Sequence, residues 1–155
     1  NSIATSSGSL TAQKREKPSE DTGFSFVNCK VSGSGTIYLG RAWGAYSRVV
    51  FLYTYIDNII KPGGWDDFGD SSHQRYVNMP IPMFEVYATI ISSSLTHTKP
   101  LQFFTCRTSF YGEYQCSGPG ANAKNRVTWS YQLTASQAAP FESISYIDGE
   151  SWISS

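Results

Sequence analysis

An excess of one sign of charge is missing from this sequence. Twelve Lys and Arg face twelve Asp and Glu among 155 residues, so the formal net charge at pH 7 is zero. A chain without net charge offers nothing to gather nucleic acid and no global trap for a polyanion. No run of 18 apolar residues occurs, which excludes a membrane-spanning helix. The first residues carry no basic, apolar, small-residue leader, so no secretory signal is read there. The chain opens on Asn1 rather than Met, and from this we expect a further piece upstream. Cysteine is scarce and odd in number. Cys29, Cys106 and Cys116 have no metal-ligand spacing and leave the redox compartment open. No Asn-x-Ser/Thr sequon is present. The length suits one domain with a real core and is too short to suggest two.

What is present favours strands and turns. Aromatic residues make up 15% of the chain, and thirteen Gly and seven Pro punctuate it. Strands are expected at Ser9–Gln13, Phe24–Val31, Thr36–Leu39, Val49–Ile56 and Phe110–Cys116, with Arg126–Ser130 as another extended piece. Lys14–Gly23 is charged and reads as a solvated loop, and Lys61–Gly64 breaks the chain sharply. Thr134-Ala135-Ser136-Gln137 has the form of a capping box, so a short helix is predicted from Thr134 to near Pro140. Val49–Ile56 is apolar on both faces rather than alternating, the pattern of a strand covered on both sides. Phe26 and Phe51 stand 25 residues apart. If 78–109 is set aside, Phe110 falls about one such interval further on. A repeat of that length, three strands to a turn, suits a stacked parallel β-solenoid, although an antiparallel sandwich fits the composition almost as well.

The chain is organised around Tyr38–Arg48, which brings Gly40, Arg41, Trp43 and Gly44 to one expected turn before the long apolar strand. The two glycines suit a backbone that bends or is closely approached. Arg41 offers a planar, always-charged fork for a carboxylate. Trp43 offers a flat apolar face with a polar edge, suited to a sugar ring. Trp65 heads an acidic, aromatic loop, Trp65–Asp70, for which a loop anchor is the alternative reading.

Taken with its context, Leu39-Gly40-Arg41-Ala42-Trp43 resembles the last signature of the plant pectin methylesterases (pectinesterases), Leu-Gly-Arg-Pro-Trp. The likeness covers Ile3–Val77 and Phe110–Ile153. It takes in Thr11-Ala12-Gln13, Thr22–Phe26 with Asn28-Cys29, Gly64–Asp67, Phe110–Tyr114, Gly118–Ala121, Arg126–Ser130 and Tyr146–Trp152 in the family's order. It implies a right-handed parallel β-helix with a short C-terminal helix, and one partial catalytic domain, residues 1–155, forming the C-terminal half of the enzyme. It also implies secretion to the plant cell wall and hydrolysis of galacturonate methyl esters in pectin (homogalacturonan), with no metal or organic cofactor. A proteinaceous pectinesterase inhibitor is a second partner class of the family.

In the family an Asp attacks the ester carbonyl, a second Asp is general acid and then base, and Gln amides hold the oxyanion. An Arg keeps the nucleophile ionised. Arg41 matches that Arg and Trp43 the neighbouring substrate-binding Trp, while Trp65 matches a second cleft aromatic. The two Asp motifs do not occur here, Ala42 replaces the usual Pro, and Asp66 matches no catalytic position. The isolated chain is therefore expected to be inactive. The alternative is a non-catalytic module that binds pectin or the inhibitor. Asn78–Ser109 contains no Gly and no Asp and interrupts the family pattern, as translated intron sequence or an unusual insertion would.

Overall fold

A computed structural model describes residues 1–74, 109–143 and 146. The chain winds in coils. The first holds β1 (Ser2–Ala4), β2 (Gly8–Ser9), β3 (Ala12–Gln13) and β4 (Phe24–Val27). The second holds β5 (Lys30–Gly33), β6 (Ile37–Tyr38), β7 (Gly40–Ala42) and β8 (Arg48–Leu52). The third holds β9 (Tyr55–Ile56), β10 (Trp65–Asp66) and β11 (Phe110–Tyr114), and β12 (Tyr131–Gln132) adds a last rung. Strands from successive coils form sheets ordered β1-β5-β9, β3-β7-β10, β4-β8-β11-β12 and β2-β6. Every pairing among them is parallel, which settles the choice between solenoid and sandwich. The architecture is a parallel β-helix.

The 25-residue interval is the height of one coil. Phe26 pairs with Phe51 across β4 and β8, and the rings stack with centroids 4.5 Å apart and planes 5° off parallel. Such a pair contributes about 0.5–1.5 kcal/mol beyond its buried area. Phe110 is not the third member of that ladder. It pairs with Arg48, and Glu113 stands opposite Phe51. Alternation along β11 turns Phe110 to the other face of the sheet, where it meets Phe141 and Tyr131.

Two expected long strands are each two strands with a corner between them. Asn28 (φ 53°) separates β4 from β5, and Tyr53 (φ 52°) separates β8 from β9. Gln115 (φ 46°) ends β11 in the same way, so three coils turn at equivalent places through a left-handed residue. The expected Ser9–Gln13 strand is likewise divided into β2 and β3. Arg126–Ser130 is a turn rather than a strand. Ser130 N donates to Val127 O at 3.1 Å, and burial of Trp129 against Tyr111 fixes the bend.

Val31, Leu39, Val49, Phe51, Ile56, Trp65 and Tyr111 fill the inside of the coil. Val50 and Leu52 point outward from the same strand into a second cluster with Leu133, Ala138 and Phe141. Val49–Leu52 is thus covered on both faces, as its unbroken apolar run requires. The outer cover is helix α1 (Ala135–Glu142), capped by the reciprocal Thr134 and Gln137 bonds of a capping box. It ends at Glu142, near the expected stop at Pro140. Phe141 holds the last turn down, stacked on Phe110 at 5.5 Å and with its carbonyl accepting from Ser25 Oγ at 2.7 Å.

Beside the apolar cover of Trp129 and Val127, the third coil holds a buried ion pair. Arg126 Nε and Nη2 donate to the two oxygens of Glu113 at 2.8 and 3.1 Å, with both side chains buried. Arg126 Nη2 also donates to Gly120 O at 2.6 Å. Val86–Ile91, a further strand by sequence, and Asp148-Gly149, a turn by sequence, lie outside the described residues, as do the interruption at 78–109, His97 and Cys106.

Candidate functional site

Arg41 lies on a strand, not in the turn that the sequence suggests. β7 is the middle strand of its sheet, held by Arg41 N donating to Thr11 O and Leu39 N donating to Gly64 O. Strand alternation buries Gly40 and Ala42 and sends Arg41 outward. Trp43, beyond the strand, is half exposed. Gly40 is needed for close approach, because a Cβ there would lie 2.7 Å from Thr11 Oγ1 and 3.0 Å from the Trp65 ring. The turn itself comes later, at Gly44, where a Cβ would meet Arg15 O at 2.2 Å. Ser47 Oγ locks it, accepting from Gly44 N at 3.2 Å while its single proton is shared between Gln13 O and Gly44 O.

One coil on, β10 brings Asp66 beside Arg41 in register. Arg41 Nε donates to Asp66 Oδ2 at 2.8 Å, in an ion pair that is only partly exposed. The other oxygen, Oδ1, accepts from Phe68 N at 3.2 Å. Phe68 places its ring 5.2 Å from the Arg41 guanidinium carbon, and its centroid lies 6.1 Å from that of Trp43 in an edge-on arrangement. Trp43 is 50% exposed and Phe68 53%. Two open aromatic rings and a guanidinium therefore form one surface. That combination suits a ligand with an apolar ring face and a negative group.

Trp65 does not belong to that surface. It is 2% exposed, lies flat on Tyr111 with centroids 4.6 Å apart, and touches Phe51. Alternation along β10 puts Asp66 outside and Trp65 inside, so the expected second cleft aromatic is a core residue that anchors the loop. The ring that accompanies Trp43 is Phe68. The signal for it was in the sequence: one 25-residue coil beyond Arg41 and Trp43 stand Asp66 and Phe68.

The segment after β10 is tied down by its own acidic residues. Asp67 Oδ1 accepts from Gly69 N at 2.9 Å, and Oδ2 accepts from Gln74 Nε2 at 2.6 Å. Asp70 accepts from Ser72 N, and hydrogen bonds from Ser72 hold its carboxyl below the usual Asp range. His73 reaches back to β7, with Nδ1 2.9 Å from Ala42 O. On the first coil the expected solvated loop Lys14–Gly23 is built around a buried cation. Arg15 donates to the carbonyls of Pro18, Glu20 and Tyr46, and burial lowers its pKa.

Residues 1–77 match the Pectinesterase family profile. Pectinesterase QRT1 of Arabidopsis thaliana is 38% identical over 146 residues, covering 94% of this chain and 29% of that protein. The pectin methylesterase from carrot superposes with a TM-score of 0.67 at 28% identity, over 96% of this chain and 40% of that one. The chain belongs to the pectinesterase family. A pectin methylesterase from Aspergillus niger has the same fold, with a TM-score of 0.59 at 21% identity over 97% of this chain and 38% of that one. This pectinesterase-family chain spans about a third of the length of the curated relatives it matches. Among the described residues no helix is long and apolar enough to cross a membrane, and no group of His, Cys, Asp and Glu could hold a metal ion.

Proposed function

We propose that the chain is part of a carbohydrate esterase that hydrolyses the methyl esters of galacturonate units in pectin, releasing methanol and leaving the free carboxylate. It contributes Arg41 as the cation of the reacting centre, and Trp43 with Phe68 as aromatic contacts to the sugar. The attacking carboxylate and the acid–base carboxylate are supplied by other residues, since neither of the family's Asp motifs is in this sequence. The chain by itself therefore binds and does not turn over. The reading carries the family's setting with it: a plant cell wall, no metal or organic cofactor, and a proteinaceous inhibitor as a second partner.

The observation that supports this most is the clustering of Arg41, Trp43 and Phe68 on one exposed surface. A uronate polymer presents rings and charges in alternation, and this surface offers a counterpart to each. A binding module without turnover is the second reading. It is favoured by Arg41 having its ion-pair partner, Asp66, within the same chain.

The test is calorimetric titration of the chain with a partly methyl-esterified oligogalacturonate. Trp43→Ala weakens binding by about 10-fold or more, the loss of a stacked aromatic worth about 1–3 kcal/mol by analogy with base stacking. Equal affinity in wild type and Trp43→Ala would remove this surface from the account.

A further inference from the structure

The Asp66 carboxylate has both oxygens committed, one to Arg41 Nε and the other to the Phe68 backbone N–H. One side chain thus fixes the cation and the ring that lies beside it. Phe68 takes a left-handed conformation (φ 62°), which a bulky residue adopts only where its surroundings impose it. The bond from its N–H to Asp66 Oδ1 is part of that constraint. The guanidinium donates its hydrogen bond, among the described residues, through Nε. Among the described residues, no hydrogen bond is made by Nη1 or Nη2, and the Arg41 side chain is 35% exposed. A guanidinium has five N–H donors in a rigid fork, so a carboxylate at Nε leaves the end-on pair available to a second one.

We propose that Asp66 is a positioning residue. It holds Arg41 by Nε so that the Nη1/Nη2 edge faces outward beside Trp43, ready for a second carboxylate, either of a uronate ligand or of the attacking group. Two opposing effects are at work. The negative charge of Asp66 lowers the pull of Arg41 on any anion, whereas its hydrogen bonds spare the complex the cost of freezing a long, flexible side chain. At a partly exposed site charge–charge terms are screened. The ordering cost is not screened, so pre-organisation wins. This inference rests on the proposed role of Arg41, and the two can fail separately.

The experiment is nitrogen–proton NMR of the arginine Nε–H and tryptophan Nε1–H signals in the chain and in Asp66→Ala. Two probes are titrated, sodium acetate as a bare carboxylate and unesterified trigalacturonate. In wild type the Arg41 Nε–H signal is sharp before any probe is added, and both probes shift it. In Asp66→Ala the signal broadens with solvent exchange while the fold signals are retained. Trigalacturonate binding then weakens roughly three- to tenfold, the release of one immobilised side chain. Asp66→Asn keeps an acceptor and loses the charge, and it keeps most of the affinity. An Arg41 signal indifferent to Asp66→Ala, or a variant that binds as tightly as wild type or tighter, overturns the inference. So does a wild type in which neither probe moves Arg41. If acetate and trigalacturonate bind alike and both depend on Asp66, the positioning role stands and the pectin reading falls.

Discussion

Trp65 lies face to face on Tyr111, with 4.6 Å between centroids and 16° between planes, and Trp43, one coil earlier, is left half in solvent. The two tryptophans therefore have opposite roles. Trp65→Ala should cost about 3–5 kcal/mol, the range for large aromatic truncations in a core. Trp43→Ala should fall within about 0.5 kcal/mol of wild type, as an exposed substitution does. Urea unfolding of the two variants measures both, and the reverse order would mean that the register of β10 is wrong.

The buried Glu113–Arg126 pair offers a test of what a desolvated ion pair contributes to the third coil. Removing one partner leaves a charge without compensation, so Glu113→Ala should cost about 3–5 kcal/mol. Replacing both by apolar residues of similar volume should recover most of that loss, because the desolvation cost of two ions disappears with them. A double variant no more stable than Glu113→Ala would show that the fork's bonds to Gly120 and Pro62 dominate.

Cys116 gives a pH dependence with a defined sign. Burial is the main cause that pushes its thiol from 9.0 up to about 11. The folded chain keeps this proton to higher pH than the unfolded chain does, so unfolding releases it. The contribution is fully present below pH 9 and is lost as the pH rises through about 11. Stability of wild type should therefore fall over that window more steeply than that of Cys116→Ser. Parallel curves for the two proteins would rule out Cys116 as the source.

Much of this fold was legible because a solenoid writes its height into the sequence. The Phe26/Phe51 spacing gave the coil, and the unbroken Val49–Leu52 run gave a strand with cover on both faces. The corners were less visible. Asn28 is an ordinary left-handed residue, but Tyr53 and Gln115 take that conformation against their preference, under the demand of stacking on the coil below. Lys14–Gly23 reads as solvated, because no pattern within it shows that the loop wraps its own carbonyls around Arg15. At the site, Arg41 and Trp43 stood out by chemistry. Asp66 and Phe68 are not distinctive by type, and only the coil period relates them to Arg41 and Trp43.

The most direct test of the whole account is methanol release from methyl-esterified homogalacturonan by the purified chain. With a cation and two aromatic rings at the surface but neither of the family's Asp motifs in its sequence, it should release none above the uncatalysed background while still binding the oligomer. Sustained release that disappears in Arg41→Ala would contradict the account, since the attacking group would then be one of the chain's own residues.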